Sequence, residues 1–222
     1  SSKENLLQIS QGGYSINRDY YVKDDEANSK ILAAYRQHIV NMFSLTGETE
    51  DEAQRKMENI MQLETRMAKA GKSNVELRDP ASNYHKMAFA DFVAEYSGFD
   101  WKSYFDIQGI TDIDSLSVGQ PEALSEAMAV LKDTPVSVLK DWFQWQILSS
   151  AGSLLGDEVY AETFDFSGRV MTGAQQPHPR WKRSVNAVNS ILGEAVGQLY
   201  VEKYFPPANK ERMMEMVRNL QQ

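Results

Sequence analysis

One stretch without a proline, residues 180–205, constrains the fold of this chain more than any other feature. Its apolar residues recur at three- and four-residue steps and so form one stripe on a helix: Trp181, Val185, Val188, Leu192, Ala195 or Val196, and Leu199. Gly193 and Gly197 each lower helix propensity by about 1 kcal/mol. Close approach of another element would offset that cost. We therefore predict a long, central and buried helix, ended by the two prolines that follow it.

Helix signals also recur through the rest of the chain. Thr49 and Glu52 form a capping-box pattern, and Thr134 before Pro135 predicts an N-cap followed by proline at the first helical position. Residues 5–23 are predicted to be irregular, residues 107–118 leave room for one minor short strand, and residues 167–179 form the clearest break. Further helices are expected over residues 24–45, 49–71, 88–96, 99–105, 121–132, 134–155 and 156–166, and from residue 209. The prediction is an all-α fold of about eight helices in a single helical domain over residues 1–222.

Composition excludes several classes of function. The net charge of −8 and the lack of any Lys/Arg-rich run argue against nucleic acid as a partner. The chain has no cysteine, which excludes disulfides, thiolate metal sites and cysteine nucleophiles. No stretch approaches the roughly 18 to 20 apolar residues of a membrane span, and no signal-peptide pattern occurs. Because the chain opens abruptly and closes inside a helical pattern, we expect it to be a piece of a larger protein.

The sequence carries no recognisable catalytic motif. His38, His85 and His178 are isolated from one another, and no H-E-x-x-H pattern occurs. G-x-S-x-G, P-loop and G-x-G-x-x-G patterns are also missing. The acidic runs, such as residues 50–52, lie at predicted helix starts, where they complement the helix dipole. We therefore predict no catalytic residue and no metal site in this chain.

A polar and aromatic cluster, Arg18-Asp19-Tyr20-Tyr21, is the most distinctive polar group. In a functional interpretation, Arg18 lines a cleft and binds a carboxylate or a peptide backbone of the substrate. In a structural interpretation, which we favour, Arg18 and Asp19 clamp an irregular segment above packed tyrosines. The methionine-rich helix over residues 57–67 and the aromatic residues from Trp142 to Trp145 are likewise predicted to fill a core, although methionines can also form an adaptable binding face.

Several of these segments together resemble the neprilysin-like zinc metallopeptidases of family M13, which include the endothelin-converting enzymes and bacterial oligopeptidases. The matching motifs follow in the family's order and cover most of the chain. They are Gly12-Gly13, Arg18-Asp19-Tyr20-Tyr21, Leu63-Glu64, Arg78-Asp79-Pro80, Tyr84-His85-Lys86-Met87, Trp101, Phe105 and Trp142, and in the long helix Trp181, Arg183, Asn186, Glu194, Gly197 and Tyr200.

The resemblance implies a part of a two-lobed enzyme. In this family a helical lobe covers a thermolysin-like zinc lobe and restricts access to small peptides, while the zinc motif lies downstream of the region matched here. The resemblance thus implies zinc in the parent protein and none in this fragment, the missing catalytic lobe as partner, peptides as substrates, and an inactive fragment. Animal members are rich in disulfides, and Ser184 stands where some have cysteine. The lack of cysteine therefore favours a bacterial member exported to the periplasm or cell surface.

A different hypothesis is a stand-alone helical module that binds peptides or glycans without catalysis. The all-α composition and the aromatic content are compatible with it. A helix-pair repeat would favour it, but no repeat at a fixed period occurs in the sequence.

Overall fold

The computed structural model describes residues 5–221 and confirms the predicted all-α class. The chain divides into two compact units, a first that ends at Gln175 and a second that begins at Gln176. The single helical domain over residues 1–222 stays a prediction. The expectation of a larger protein drew on the two ends of the chain, and residues 1–4 and Gln222 lie outside the described residues. No described helix is long and apolar enough to cross a membrane.

The first unit is built mainly of helices, and most begin where the sequence predicts. The Asp25 side chain accepts a hydrogen bond from the Asn28 backbone at 3.0 Å, and Thr49 and Glu52 form the predicted capping box. A 3₁₀ turn occupies Glu76–Arg78, and a π-helical segment, Asp165–Val170, continues the last helix. The helices are α1 (Arg18–Val22), α2 (Glu26–Leu45), α3 (Glu50–Ala70), α4 (Phe89–Glu95), α5 (Trp101–Ile107), α6 (Pro121–Asp133), α7 (Val136–Ala151) and α8 (Asp157–Phe164).

Three local predictions need correction. Residues 5–23 are not irregular throughout, because they contain the helix α1. Thr134 is not the N-cap of α7 but the C-cap of α6, where its N–H donates to the Val130 carbonyl at 3.1 Å. Proline disfavours helical conformation in the residue before it, so α7 begins one residue later, after Pro135. The break predicted over residues 167–179 also begins late, because helical structure continues to residue 172.

A small sheet accompanies the helices of the first unit. Its strands are β1 (Leu7–Ile9), β2 (Lys86–Ala88) and β3 (Ser115–Val118), in the order β1-β3-β2. Strand β3 runs parallel to β1 and antiparallel to β2. The short strand expected in residues 107–118 is therefore present as β3. Its partners were not predicted, since three-residue strands are too short to show an alternating pattern and one of them lies in the segment predicted to be irregular.

Two clusters form most of the core of the first unit. One lies among α2, α3 and α7, and the other is an aromatic cluster over the sheet. The methionines at positions 57, 61 and 67 and Trp145 are buried, as the core interpretation predicts. That interpretation is wrong for Phe143, which is 51% exposed. Buried members of the first cluster include Tyr35, Ile39, Met42, Phe43, Ile60 and Trp145; the second contains Phe92, Tyr96, Trp101, Phe105, Leu116 and Val118.

The second unit contains α9 (Arg180–Tyr204) and α10 (Pro207–Leu220). The predicted long helix is present as α9, with a kink at Leu192, but the prediction that it is buried is wrong for the described residues. Neither helix has a buried residue. A Cβ atom added at Gly193 or Gly197 would meet nothing within 4 Å, so no element among residues 5–221 approaches these glycines closely. Periodicity shows which side of a helix is apolar, but it does not supply the partner that covers it.

Candidate functional site

Arg18, the candidate for substrate binding, lies at the start of α1, and its side chain contacts the end of α3. Its Nε donates hydrogen bonds to the carbonyl oxygens of Ala68, at 3.1 Å, and Gly71, at 2.8 Å. The last carbonyls of a helix lack partners within the helix. The guanidinium bonds the Gly71 carbonyl and adds a second donor to the Ala68 carbonyl, which also accepts from the Gly71 N–H at 3.2 Å. This geometry gives Arg18 a structural use. Its contact with a substrate stays a prediction.

The residues that follow Arg18 form short-range contacts around α1. Asn17 caps the helix by accepting a hydrogen bond from the Asp19 backbone N–H at 3.0 Å. The Asp19 carboxylate pairs with Lys23 at 2.6 Å and with Arg18 at 3.4 Å. The hydrogen bond from Lys23 and the nearby positive charges hold the pKa of Asp19 below its usual value. Arg18 and Asp19 do form an ion pair, but the segment they were expected to clamp is the helix α1 rather than irregular, and Arg18 bonds backbone carbonyls at the end of α3.

Tyr21 connects this motif to a buried carboxylate. Its hydroxyl donates to Glu64 Oε2 at 2.6 Å, and the Tyr35 hydroxyl donates to the same oxygen at 2.8 Å. The Ser15 hydroxyl donates to Glu64 Oε1 at 2.6 Å. Trp145 Nε1 donates to the Tyr35 hydroxyl at 2.8 Å. We call Ser15, Tyr21, Tyr35, Glu64 and Trp145 the Glu64 cluster.

Burial controls the ionisation of the Glu64 cluster. The Glu64 side chain has no exposed surface, and desolvation raises its pKa against the opposing effect of the hydroxyl donors. Desolvation and the neighbouring Glu64 carboxylate raise the pKa of Tyr21 and Tyr35 well above the usual value of 10.0. A carboxylate that is enclosed and bonded on both oxygens cannot reach a ligand. The cluster therefore fastens α1, α2, α3 and α7 to one another.

The structure does not bring the three histidines together. His38 Nδ1 lies 2.8 Å from Glu162 Oε1, and its ring stacks on Phe166 at 4.8 Å between centroids. His85 Nδ1 lies 2.9 Å from the Val118 carbonyl oxygen. His178 is exposed in the segment before α9. Among residues 5–221 no group of three or more His, Cys, Asp or Glu side chains could hold a metal ion. The described residues thus do not fit a zinc site.

The motif residues of the long helix do not form a pocket. All lie along α9, with Trp181 68% exposed and Tyr200 59% exposed. Asn186 and Glu194 are exposed, while Arg183 and Gly197 are half-buried. Tyr200 and Tyr204 place their rings 5.4 Å apart on the same face. Together with the apolar stripe, these residues form an open surface rather than a concave site.

Two grooves of the first unit have volumes above about 500 Å³, within the usual range of ligand sites. One, of about 580 Å³, lies along α3 and is lined by mixed polar and apolar residues, among them Arg36, Met57, Glu58, Met61 and Lys69. The other, of about 520 Å³, lies between β1 and α5 and carries no charged residue. The first groove is lined by basic and acidic side chains and the second by neither, and no histidine lines either groove.

Sequence reasoning missed the Glu64 cluster, although a signal was present. Glu64 stands four residues after Ile60 and four before Ala68, so it occupies the apolar stripe of α3. A carboxylate at such a position must find hydrogen-bond donors from other elements. The tyrosine of the Arg18-to-Tyr21 motif is one of these donors, but the distance of 43 residues between them hides the pairing.

Comparison with known proteins places the chain in a family. The model of peptidase family M13, specifically its N-terminal part, matches residues 1–222. Human endothelin-converting enzyme 1 is 26% identical over 224 residues, which cover 98% of this chain and 29% of that enzyme. The chain therefore spans about a third or less of the length of such relatives.

Solved structures agree with the sequence matches. The zinc metalloprotease ZMP1 of Mycobacterium tuberculosis, in its open state, superposes with a TM-score of 0.87 at 36% identity, over 97% of this chain and 34% of that one. PepO from Lactobacillus rhamnosis superposes with a TM-score of 0.79 over 98% of this chain and 34% of that one, but at 18% identity it supports the fold alone. The resemblance predicted from the sequence is confirmed, and the chain belongs to peptidase family M13.

Proposed function

We propose that this chain is the helical lobe of a zinc-dependent metalloendopeptidase, and that the lobe restricts access to small peptide substrates. The observation that carries the proposal is the match of the M13 model to all 222 residues. Solved relatives described as zinc metalloproteases support it. Zinc would be bound elsewhere in the parent protein, because the described residues offer no metal ligands as a group. The fragment alone is expected to cleave nothing.

The exposed face of the second unit supports the view that this chain is one part of a longer protein. We call the exposed apolar side chains of these two helices the α9–α10 face: Trp181, Val185, Val188, Ile191, Leu199, Tyr200, Met213, Met216 and Leu220, each at least 47% exposed. Large apolar side chains that concentrate on a surface mark sites of interaction. The partner we propose is the rest of the same polypeptide, including the catalytic lobe.

The source and compartment are also proposals. The lack of cysteine and the similarity to a mycobacterial enzyme favour a bacterial protein in the periplasm or at the cell surface. Fractionation of the source cells, with immunoblotting against this chain, tests the location. Recovery of the protein in the cytosol alone would contradict it.

The proposal predicts a long native gene product. Relatives are about three times the length of this chain, so the mass in the source cells should lie far above 25.2 kDa. Intact-mass measurement and tryptic mapping check this, and the map should contain a peptide with H-E-x-x-H. A native product that ends at Gln222 would overturn the proposal and favour the stand-alone module that binds peptides or glycans.

A further inference from the structure

The first unit has an open sheet edge beside an apolar groove. Strand β1 pairs with β3 on one side, and no described strand pairs with its other side. The Ile9 carbonyl accepts a hydrogen bond from the Gly119 N–H at 2.8 Å, so Ile9 faces β3. In a parallel ladder, alternate residues bond to the same neighbour. The N–H and C=O of Gln8 therefore face the open edge, and Gln8 is exposed.

The groove along this edge is shaped for apolar side chains. All three residues of β1 line it, opposite the aromatic side chains of α5 and the residues near them. Several of its walls are partly exposed: Phe99 at 39%, Tyr104 at 44%, Ile110 at 37% and Leu131 at 38%. A further groove, of about 350 Å³, adjoins this one, since Phe99 and Leu131 line both. It continues past Gly12 and Gly13, which lie shortly after β1.

From this arrangement we infer that an extended, apolar segment adds to β1 as a fourth strand and fills the groove. Addition of a strand to an open edge uses main-chain hydrogen bonds for binding and alternate side chains for selectivity. Because none of the residues that line the groove between β1 and α5 is charged, the groove selects uncharged apolar side chains. Native proteins cover open hydrophobic edges or keep them very short, since such edges promote aggregation.

The occupant we assign is a segment of the same parent polypeptide outside residues 1–222. Strand β1 has three residues, so a fourth strand gains few ladder hydrogen bonds. These few hydrogen bonds do not offset the entropy that is lost when two separate molecules associate. A segment of the same polypeptide loses less entropy, because the tether keeps it at a high effective concentration. About two thirds of the length of the solved relatives lies outside the region matched here. This inference rests on the proposed function, because it requires a longer parent.

The test is photo-crosslinking in the full-length native protein. A benzoylphenylalanine introduced at Gln8 should crosslink within the molecule to one segment outside residues 1–222, identified by mass spectrometry after digestion. The same group at Lys30, whose side chain is 73% exposed on α2, should not reach that segment. The amides of residues 6–11 should also exchange at least tenfold more slowly in the native protein than in the 222-residue chain.

Each alternative outcome has a distinct reading. Crosslinking to an added substrate peptide would assign the edge to substrate and overturn the inference. A full-length protein without a crosslink outside residues 1–222, and without slower exchange, would also overturn it while leaving the proposed function intact. A native product that ends at Gln222 would overturn both this inference and the proposed function.

Discussion

Helices α3 and α9 are of similar length and carry apolar residues at the same helical spacing, yet only α3 buries them. The stripe of α3 lies in the core of the first unit, where α2, α6 and α7 contact it, whereas no residue of α9 is buried. In α3 even the acidic side chain of Glu64 is buried, whereas in α9 the apolar side chain of Trp181 is 68% exposed. Helical periodicity therefore defines the apolar side of a helix, but burial of that side also requires an element that packs against it.

Replacement of the buried Glu64 in α3 should have the largest effect on stability. Glu64→Leu removes the acceptor of two tyrosine hydroxyls and one serine hydroxyl, and should lower the free energy of unfolding by about 3–5 kcal/mol. The matched control is Glu58→Leu on the exposed side of the same helix, expected within about 0.5 kcal/mol of the parent chain. Urea unfolding followed by circular dichroism measures both. Equal stabilities would contradict the role of the Glu64 cluster.

A pair of leucine truncations compares the two units directly. Leu148→Ala, in the core of the first unit, should cost about 2–4 kcal/mol, because it leaves a cavity. Leu199→Ala, on the α9–α10 face, should change stability by less than about 0.5 kcal/mol, because Leu199 is 68% exposed. In the full-length parent, Leu199→Ala should become destabilising. If it costs the same small amount there, the α9–α10 face is not covered by the parent protein.

Much of the fold was predictable because its signals are local. The capping box at Thr49 and Glu52 and the apolar stripes correctly placed most helices. Strand pairing and the Glu64 cluster were not predicted, since they join residues far apart in sequence, such as Ile9 with Val118 or Tyr35 with Trp145. The burial of α9 was mispredicted for the reason given above.

The candidate site was predictable only in part. The sequence singled out Arg18 through Tyr21 as a group, and the structure shows that they contact α3. It could not show which atoms Arg18 contacts, because helix-end carbonyls carry no residue-specific signal. The motifs of α9 helped to identify the family, but their spacing along one helix did not indicate what role these residues play.

The next prediction concerns two adjacent glycines before α1. Gly13 has φ of +89°, and a Cβ atom there would clash with the Met67 sulfur, whereas Gly12 has open space. Gly13→Ala should therefore cost about 2 kcal/mol, and Gly12→Ala should be nearly neutral. Thermal and urea unfolding of the two variants check this. Equal stability would show that the approach of this loop to α3 is looser than described.

Alkaline pH should weaken the first unit through its buried tyrosines. Tyr21 and Tyr35 keep their protons in the folded state, while the unfolded chain loses them near the usual pKa of 10.0. The stability that the two buried tyrosines contribute is therefore complete below pH 10. Above pH 10, the free energy of unfolding falls by about 1.4 kcal/mol per pH unit for each tyrosine. Urea unfolding between pH 8 and 11 measures the slope. Tyr35→Phe should reduce this slope by about 1.4 kcal/mol per pH unit. An unchanged slope would show that Tyr35 is not protected from ionisation in the folded state.

The smallest effect should have the opposite sign in the second unit. Gly193→Ala places a methyl group in open space and improves helix propensity, so it should stabilise the isolated chain by up to about 1 kcal/mol. Circular dichroism during thermal unfolding measures the gain. In the full-length parent, a covered α9–α10 face should turn the gain into a loss, and a gain in both proteins would show that nothing packs at Gly193.

The decisive experiment compares peptide hydrolysis by the purified native gene product and by the 222-residue chain. The native protein should cleave a small peptide, lose activity with a zinc chelator and recover it when zinc is restored. The 222-residue chain should cleave nothing under the same conditions. Chelator-sensitive hydrolysis by the 222-residue chain, or a native protein without zinc-dependent activity, would show that this chain is not the helical lobe of a zinc peptidase.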